Sequence, residues 1–292
     1  MNALGEADRA KGLDAFDNAF WKHVGHSVTT LFRACGRSWS GGLFAPAPET
    51  GDATRFYRQL SRYSSAFALC ADMALLTLGG ALKRKEMLSA RFGDILSELY
   101  LLSAALKRWQ DEGRQPADFA ALEWCMASGI RTIEIRFAEI LANLPNRFVA
   151  VVLKFLIQPF GARVLGPSDI VTHQCAQLVL EPSAARDRLT PDLSHVEDDR
   201  GIDRLEKAFL LVTSAEGIAK QMRAARLHDW REAVKKGVIT QADGEKLGAA
   251  HEAVAKVIEV DDFAPEAISP IYKKPADVHQ FFQNLGEQRA AS

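Results

Sequence analysis

The side chains in this sequence that could do chemistry do not form a known catalytic pattern. The pair Gly79-Gly80 lacks the GxGxxG and GxxxxGK spacings of phosphate-binding loops, and we predict a helix break there instead. The sequence has no GxSxG nucleophile elbow, so a serine hydrolase of that type has no support. His23 and His26 lie three residues apart and would share a helix face, but no third metal ligand is marked by its spacing. We interpret these histidines as a surface or partner-facing pair.

Charged residues cluster in three places, and we interpret each cluster as solvated surface. His195 stands beside the acidic run 197–199, which would suit a cation but is more typical of a polar turn. Glu134 and Glu139 alternate with arginines in the pattern of an exposed helix face. Basic residues around the glycine pair could hold an anionic ligand or an acidic partner, yet cations also suit the negative end of a helix; they are Arg62, Lys83, Arg84, Lys85 and Arg91. We therefore assign no catalytic, cofactor-binding or metal-binding residue to this chain.

The segment 148–160 is the feature that we single out, because it is apolar nearly all round for about three helical turns. It is too short to cross a bilayer, which takes about 20 apolar residues. Three alternatives stay open: a central core helix, a helix that docks on another domain or subunit, and a helix that enters a membrane interface beside basic flanking residues. The candidate docking or membrane-contact residues are Phe148, Val152, Leu156 and Phe160.

Helical periodicity dominates the rest of the sequence. Apolar residues recur at steps of three or four over 56–78, 88–106 and 122–144, and we expect further helices at 13–35, 168–180, 202–227, 228–236 and from Thr240 onward. Asp52 or Thr54 is a candidate cap for the second helix, and Thr240 with Asp243 has the spacing of a capping box. Long β-branched alternation is absent, so we predict an all-α fold. We expect an antiparallel helical bundle with additional packed helices and an extended C-terminal tail after Phe263.

The domain prediction is an N-terminal bundle part at 1–180 and a C-terminal part with the tail at 201–292. The polar stretch 181–200 connects them, and the two parts are expected to form one composite all-α domain. The stretch 36–51, rich in glycine, serine and proline, is predicted to be a loop.

Composition limits the function classes. The 292 residues carry 36 Lys and Arg against 37 Asp and Glu, a net charge of −1, which argues against a nucleic-acid partner. We expect no signal peptide and no helix long and apolar enough to span a bilayer. The four cysteines are widely spaced, which favours reduced thiols and a cytoplasmic location.

Several motifs resemble one known family. The most specific is Leu78-Gly-Gly-Ala-Leu-Lys-Arg-Lys-Glu86, continued by Ser89-Ala-Arg-Phe-Gly-Asp94. Shorter matching pieces are Lys22-His-Val-Gly25, Gln158-Pro-Phe-Gly161 and Val257-Ile-Glu-Val-Asp-Asp-Phe263. From about residue 13 to residue 282, the chain resembles the C-terminal helical region of bacterial long-chain acyl-CoA dehydrogenases of fatty-acid β-oxidation.

The resemblance implies an FAD-dependent enzyme that converts acyl-CoA to trans-2-enoyl-CoA. It also implies that the catalytic core, with its base and its flavin site, lies upstream of this chain, so the chain alone would lack the active site and bind no FAD. The expected partners are that core, on the same or a separate chain, the inner membrane as a peripheral contact, and further copies in a homo-oligomer. The alternative is a non-catalytic helical module that docks on a membrane surface or a partner.

Overall fold

The computed structural model describes residues 9–48, 51–191 and 201–258. Contacts divide the chain into two compact units, residues 1–185 and 186–292, each with its own apolar core. The described residues contain no β-strand, which confirms the all-α prediction. Their ten α-helices are α1 (Arg9–Trp39), α2 (Thr54–Leu78), α3 (Glu86–Asp111), α4 (Phe119–Asn143), α5 (Arg147–Ile157), α6 (Asp169–Leu180), α7 (Ala184–Leu189), α8 (Gly201–Ala224), α9 (Trp230–Lys235) and α10 (Gln241–Ile258).

Helices α1 and α2 of the first unit run antiparallel. Near the C-terminal end of α1, Arg37 donates a hydrogen bond to the Ser65 hydroxyl at 2.6 Å, in the first half of α2. Nine residues before Arg37 in α1, Val28 lines a cavity together with Leu76, close to the end of α2. Because Leu76 stands almost at the end of α2, the first turns of α1 extend past it.

Helices α3 and α4 share the most extensive helix–helix contact in the first unit, and they also run antiparallel. Arg91 binds Glu139 where α3 starts and α4 ends. The pair meets at Gly129 of α4, where a Cβ atom would lie 2.8 Å from a Leu102 methyl carbon and 2.8 Å from the Glu98 carboxylate. Only glycine permits this approach without a shift of its neighbours. The antiparallel bundle predicted from the sequence is therefore confirmed.

The core of the first unit is built by the apolar stripes that the sequence shows at helical spacing. Each large side chain buried there stabilises the fold by about 1.5–3 kcal/mol relative to an exposed one. The large side chains of this core with almost no exposed surface are Tyr63, Cys70, Ile95, Leu106, Met126, Ile133, Phe137, Ile140, Leu144, Leu153 and Ile157.

The second unit contains a smaller core, in which α8 packs on α10 and α9 on α10. Thr240 and Asp243 form the predicted capping box: the Thr240 N–H donates to Asp243 at 3.3 Å, and the Asp243 N–H donates to the Thr240 hydroxyl at 3.2 Å. The Trp230 ring fills a slot on α10, since a Cβ atom at Gly244 would lie 2.5 Å from its Cε3 atom.

Several predicted boundaries need correction. Helix α2 has no side-chain cap, so neither Asp52 nor Thr54 caps it; Ala53 occupies the cap position. Helix α1 continues to Trp39, four residues into the predicted loop, because Gly36 is accommodated within the helix. Helix α7 lies inside the residues predicted as a connector. The expected extended tail after residue 263 lies outside the described residues.

Candidate docking surface on helices α1, α2 and α5

Helix α5 turns one face to the core and the other outward. Asn146 caps its start, because its side-chain oxygen accepts a hydrogen bond from the Val149 N–H at 3.2 Å. Ala150, Leu153 and Ile157 are spaced for one face and are buried. Phe148 and Phe155 lie on the opposite face and are 78% and 60% exposed. The segment is apolar all round in composition, but only one of its faces belongs to the core.

Three of the four predicted contact residues are exposed. Phe148, Phe160 and Val152 expose 78%, 47% and 39% of their surface. Leu156 is partly buried and packs against the core of the first unit. The structure thus makes three of these side chains accessible to a partner, whereas docking and membrane contact themselves stay predictions.

An apolar groove runs between α1, α2 and α5. A cavity of about 470 Å³ lies between α1 and α2, and one of about 240 Å³ lies between these helices and α5. The two cavities share Leu31, Leu69 and Met73, so they lie side by side and together make up the groove. We call it the α1–α2–α5 groove. Its other apolar lining residues are Val28, Leu75, Leu76, Phe148, Val149, Val152, Leu153 and Leu156.

A single carboxylate interrupts the apolar lining of this groove in the larger cavity. Asp72 is partly buried, and its Oδ2 atom is out of contact with solvent without any hydrogen-bond partner. His23 and Ser27 line the same cavity from α1 but do not bond to this oxygen. A buried carboxylate oxygen without a partner is costly, because it has lost hydration without replacement.

A group of aromatic rings borders the exposed face of α5. The Trp39 indole N–H donates a hydrogen bond to the Phe155 carbonyl at 3.1 Å, and the two rings meet edge to face with centroids 4.9 Å apart. The Phe160 ring lies 5.9 Å from Trp39, and the Arg163 guanidinium stacks 4.3 Å from the Phe160 centroid. These contacts hold the end of α1 against α5 and keep partly exposed aromatic surface in place.

The buried carboxylate of Glu134 holds the loop after α5 in place by hydrogen bonds. The sequence interpretation wrongly placed this residue on a solvated helix face. Glu134 is 1% exposed and is no part of a solvated face. Its side chain accepts hydrogen bonds from the Tyr63 hydroxyl at 2.6 Å and from the backbone N–H groups of Arg163 and Val164 at 2.7 and 2.8 Å. Burial, and then the Glu134 charge and hydrogen bond, raise the pKa of Tyr63, although the charge of Arg62 opposes the shift.

Glu139, which the sequence interpretation grouped with Glu134, is partly exposed and does lie on the solvent-facing side of α4. It accepts hydrogen bonds from Arg136 at 2.8 Å and from Arg91 at 3.0 Å. The Arg136 hydrogen bond, followed by that of Arg91, lowers the pKa of this carboxyl, and partial burial opposes the shift.

The basic residues around the glycine pair do not form one surface. Arg62 is buried, donates to the Tyr63 hydroxyl at 3.1 Å and stacks on that ring. Arg91 is engaged by Glu139, and the run 83–85 is exposed. The arrangement therefore offers no convergent anion site from this set.

The two places weighed in the sequence as metal sites were both interpreted as surface, and the described residues include one of them. His23 and His26 are both exposed on α1, and no group of three or more potential ligands is found in the described ranges. The acidic cluster around His195 lies outside the described residues.

Gly79-Gly80 does not suit the pyrophosphate of a dinucleotide. Gly79 ends α2 with a φ of 50°, and its N–H bonds to the Leu75 carbonyl. The chain then continues as a 3-10 helix over Gly79–Arg84. The end of a helix presents carbonyl oxygens and the negative end of its dipole, whereas pyrophosphate binds at helix starts. These residues therefore do not fit FAD.

Helix α2 corrects the expectation that no helix could span a membrane. Together with its 3-10 extension, Thr54–Arg84 is long and apolar enough by length and composition. Of its most apolar stretch of 18 residues, 28% is buried. One such helix is weak evidence for a membrane span, since core helices of soluble proteins pass the same test. Tyr63, Cys70 and Ala74 of this helix are core residues of the first unit.

The sequence interpretation missed the α1 and α2 walls of the groove. A signal was present: Leu75 and Leu76 fall beside the core stripe of α2 and give this helix a second apolar face. Asp72 had no such signal, because an acid on a helix is ordinarily solvated.

Comparison with known proteins identifies the family. No solved structure matches the chain. The family described as acyl-CoA dehydrogenase, C-terminal, bacterial type, matches residues 1–263, which is most of the sequence. The match covers the first compact unit and the second as far as residue 263, and it includes α1 to α10. The chain therefore belongs to the family of bacterial-type acyl-CoA dehydrogenase C-terminal domains.

Proposed function

We propose that this chain is the C-terminal helical region of an FAD-dependent acyl-CoA dehydrogenase of fatty-acid β-oxidation, of the long-chain type. The family match over residues 1–263 carries the proposal. The motif that starts at Leu78 and continues to Asp94 supports the long-chain assignment by resemblance. The all-α fold agrees with a region that packs on a catalytic core.

Under this proposal, the conversion of acyl-CoA to trans-2-enoyl-CoA takes place in a catalytic region upstream of the chain. We assign no residue of this chain to the reaction, because its glycine pair does not suit FAD and its buried Glu134 is held by three hydrogen bonds. The chain would contribute surface for packing, and the enzyme would assemble as an oligomer.

The experiment is to express the longest open reading frame that contains this chain, in parallel with the 292-residue chain. We expect the longer protein to be yellow, to hold FAD near one per chain and to oxidise long-chain acyl-CoA. A longer protein without flavin, or a reading frame without an additional region upstream, would refute the proposal.

A second candidate function is a module that attaches to the inner membrane from the cytoplasm as a peripheral contact. The observation that favours it is the exposed face of α5, where Phe148 and Phe155 present large apolar side chains beside Arg147 and Arg163. Apolar side chains next to basic ones suit an anionic bilayer surface.

Vesicle binding tests this candidate. In co-sedimentation with phosphatidylethanolamine and phosphatidylglycerol vesicles, Phe148→Asp with Phe155→Asp should abolish binding. The matched control, Leu96→Asp with Tyr100→Asp, makes the same change at exposed apolar residues of α3 and should bind like wild type. Equal binding by both double variants, or no binding by wild type, would refute membrane attachment through α5.

A further inference from the structure

We infer that the α1–α2–α5 groove receives an amphipathic helix from the catalytic region of the enzyme, and that this helix carries one lysine or arginine on its apolar face opposite Asp72. The inference rests on the proposed function, because it takes the occupant from the upstream region. It goes further by naming the docking site, the shape of the occupant and the charge that the occupant must bring.

The shape of the groove suits a rod. Its two cavities adjoin and are lined by residues of three helices, so the apolar surface is concave and lies between helices. A helix with side chains is about 10 Å wide, and helices dock in such grooves through apolar residues at steps of three and four. A flat lipid surface would fill a concave groove poorly. A shallow contact with lipid would need only the exposed face of α5 and not the groove.

The chemistry of the lining calls for a covering partner. Val28, Leu75 and Leu76 remain 47%, 56% and 78% exposed although they line an apolar cavity. Contiguous exposed apolar surface of this kind marks interaction sites. Phe148 of the lining adds exposed aromatic surface of the type that dominates binding energy at protein interfaces.

Asp72 decides between a protein helix and lipid. Its Oδ2 atom has no hydrogen-bond partner, and His23 and Ser27 on the facing wall do not supply one. Covering this carboxylate with acyl chains would bury an unpaired charge, which is among the most expensive changes in a protein. A lysine or arginine on the docked helix would instead compensate the charge of this partly buried carboxylate. The same pairing would set the register of the helix in the groove.

Thiol labelling in the intact enzyme tests the inference. We would introduce Leu76→Cys, in the groove, or Ala90→Cys, an exposed control on α3, into a background in which Cys35, Cys125 and Cys175 are serine. Maleimide labelling rates are then compared between the 292-residue chain and the longer enzyme. We expect the thiol introduced by Leu76→Cys to react at least tenfold more slowly in the enzyme, and the control thiol to react equally in both.

Charge variants of the enzyme test the pairing. Asp72→Lys should restore the labelling rate of the isolated chain at the Leu76→Cys site, and Asp72→Asn should restore part of it. Equal rates in chain and enzyme would refute docking in the groove. Protection that appears only with phosphatidylglycerol vesicles, or that rises with the concentration of the chain alone, would assign the groove to lipid or to a second copy and would also refute it.

The flavin content and dehydrogenase activity of the same preparation separate the two proposals. An active flavoenzyme with an unprotected groove thiol would refute the docking inference and leave the proposed function standing. A longer protein without flavin would refute the proposed function, and the docking inference with it.

Discussion

Removing the Glu134 carboxylate should destabilise the first unit more than any single surface change. In Glu134→Ala, the Tyr63 hydroxyl and the N–H groups of Arg163 and Val164 lose their acceptor together. The loop after α5 then has no attachment to α4 through this side chain. The same loop carries Phe160, so its release would also loosen the aromatic group beside the candidate docking surface.

The magnitude follows from the type of bond that is lost. A hydrogen bond to a charged group contributes about 1.5–3 kcal/mol, so three of them set an upper limit of about 4.5–9 kcal/mol. The carboxylate is desolvated at 1% exposure, which offsets part of this sum. We expect Glu134→Ala to lower the free energy of unfolding by about 3–5 kcal/mol. Tyr63→Phe removes one of the bonds and should cost about 1.5–3 kcal/mol.

The assay combines urea unfolding, followed by far-ultraviolet circular dichroism, with hydrogen exchange at the loop amides. A double-mutant cycle of Tyr63→Phe and Glu134→Ala should give a coupling energy of at least about 1 kcal/mol. The control is Tyr57→Phe, which removes a neutral bond to Gln110 at 2.9 Å and should cost no more than about 1.5 kcal/mol. A Glu134→Ala variant within 1 kcal/mol of wild type, with protected amides at Arg163 and Val164, would refute this reasoning.

Further predictions concern glycines and proton linkage. Gly129→Ala should lower the free energy of unfolding by about 1–2 kcal/mol, since overpacking outweighs the gain in helix propensity. Gly93→Ala should raise it by about 0.5–1 kcal/mol, because nothing lies within 4 Å of the new Cβ atom. Equal shifts of the two variants in urea unfolding would contradict this. Gly244→Ala should lower the free energy of unfolding by about 1–3 kcal/mol, because the Trp230 indole ring occupies the position of the new Cβ atom. An unchanged unfolding midpoint, followed by tryptophan fluorescence, would contradict this. Burial raises the pKa of the Cys70 thiol to about 12 and raises that of Tyr63 above its ordinary 10.0, so the folded state keeps these protons longer than the unfolded state. Stability should therefore fall as the pH rises above about 9, and Cys70→Ala with Tyr63→Phe should flatten this fall; an unchanged slope would count against it.

Periodicity predicted most of the fold because the residues that a helix buries in a bundle recur every three or four positions. The stripes of α2, α3 and α4 became the core of the first unit, and the spacing of Thr240 and Asp243 gave a real capping box. The cap predicted for α2 was wrong: Ala53 takes the cap position although Asp52 and Thr54 are better cap residues.

The candidate surface was only partly predictable. Phe148 and its neighbours stand out because they are apolar and contiguous in sequence, but the groove needs walls from α1 and α2, whose pairing is a long-range property. Glu134 looked solvated because arginines surround it in sequence, while the residues that bury it come from α2 and from the loop after α5. Spacing along one helix cannot show which neighbour approaches a given face.

The flavin content of the two purified proteins tests the central claim most directly. If the chain is the C-terminal region of an acyl-CoA dehydrogenase whose catalytic core lies upstream, the absorption spectrum of the longer protein should show FAD near one per chain. The 292-residue chain should be colourless and inactive on long-chain acyl-CoA. Stoichiometric FAD on the 292-residue chain, or dehydrogenase activity of that chain alone, would contradict the account.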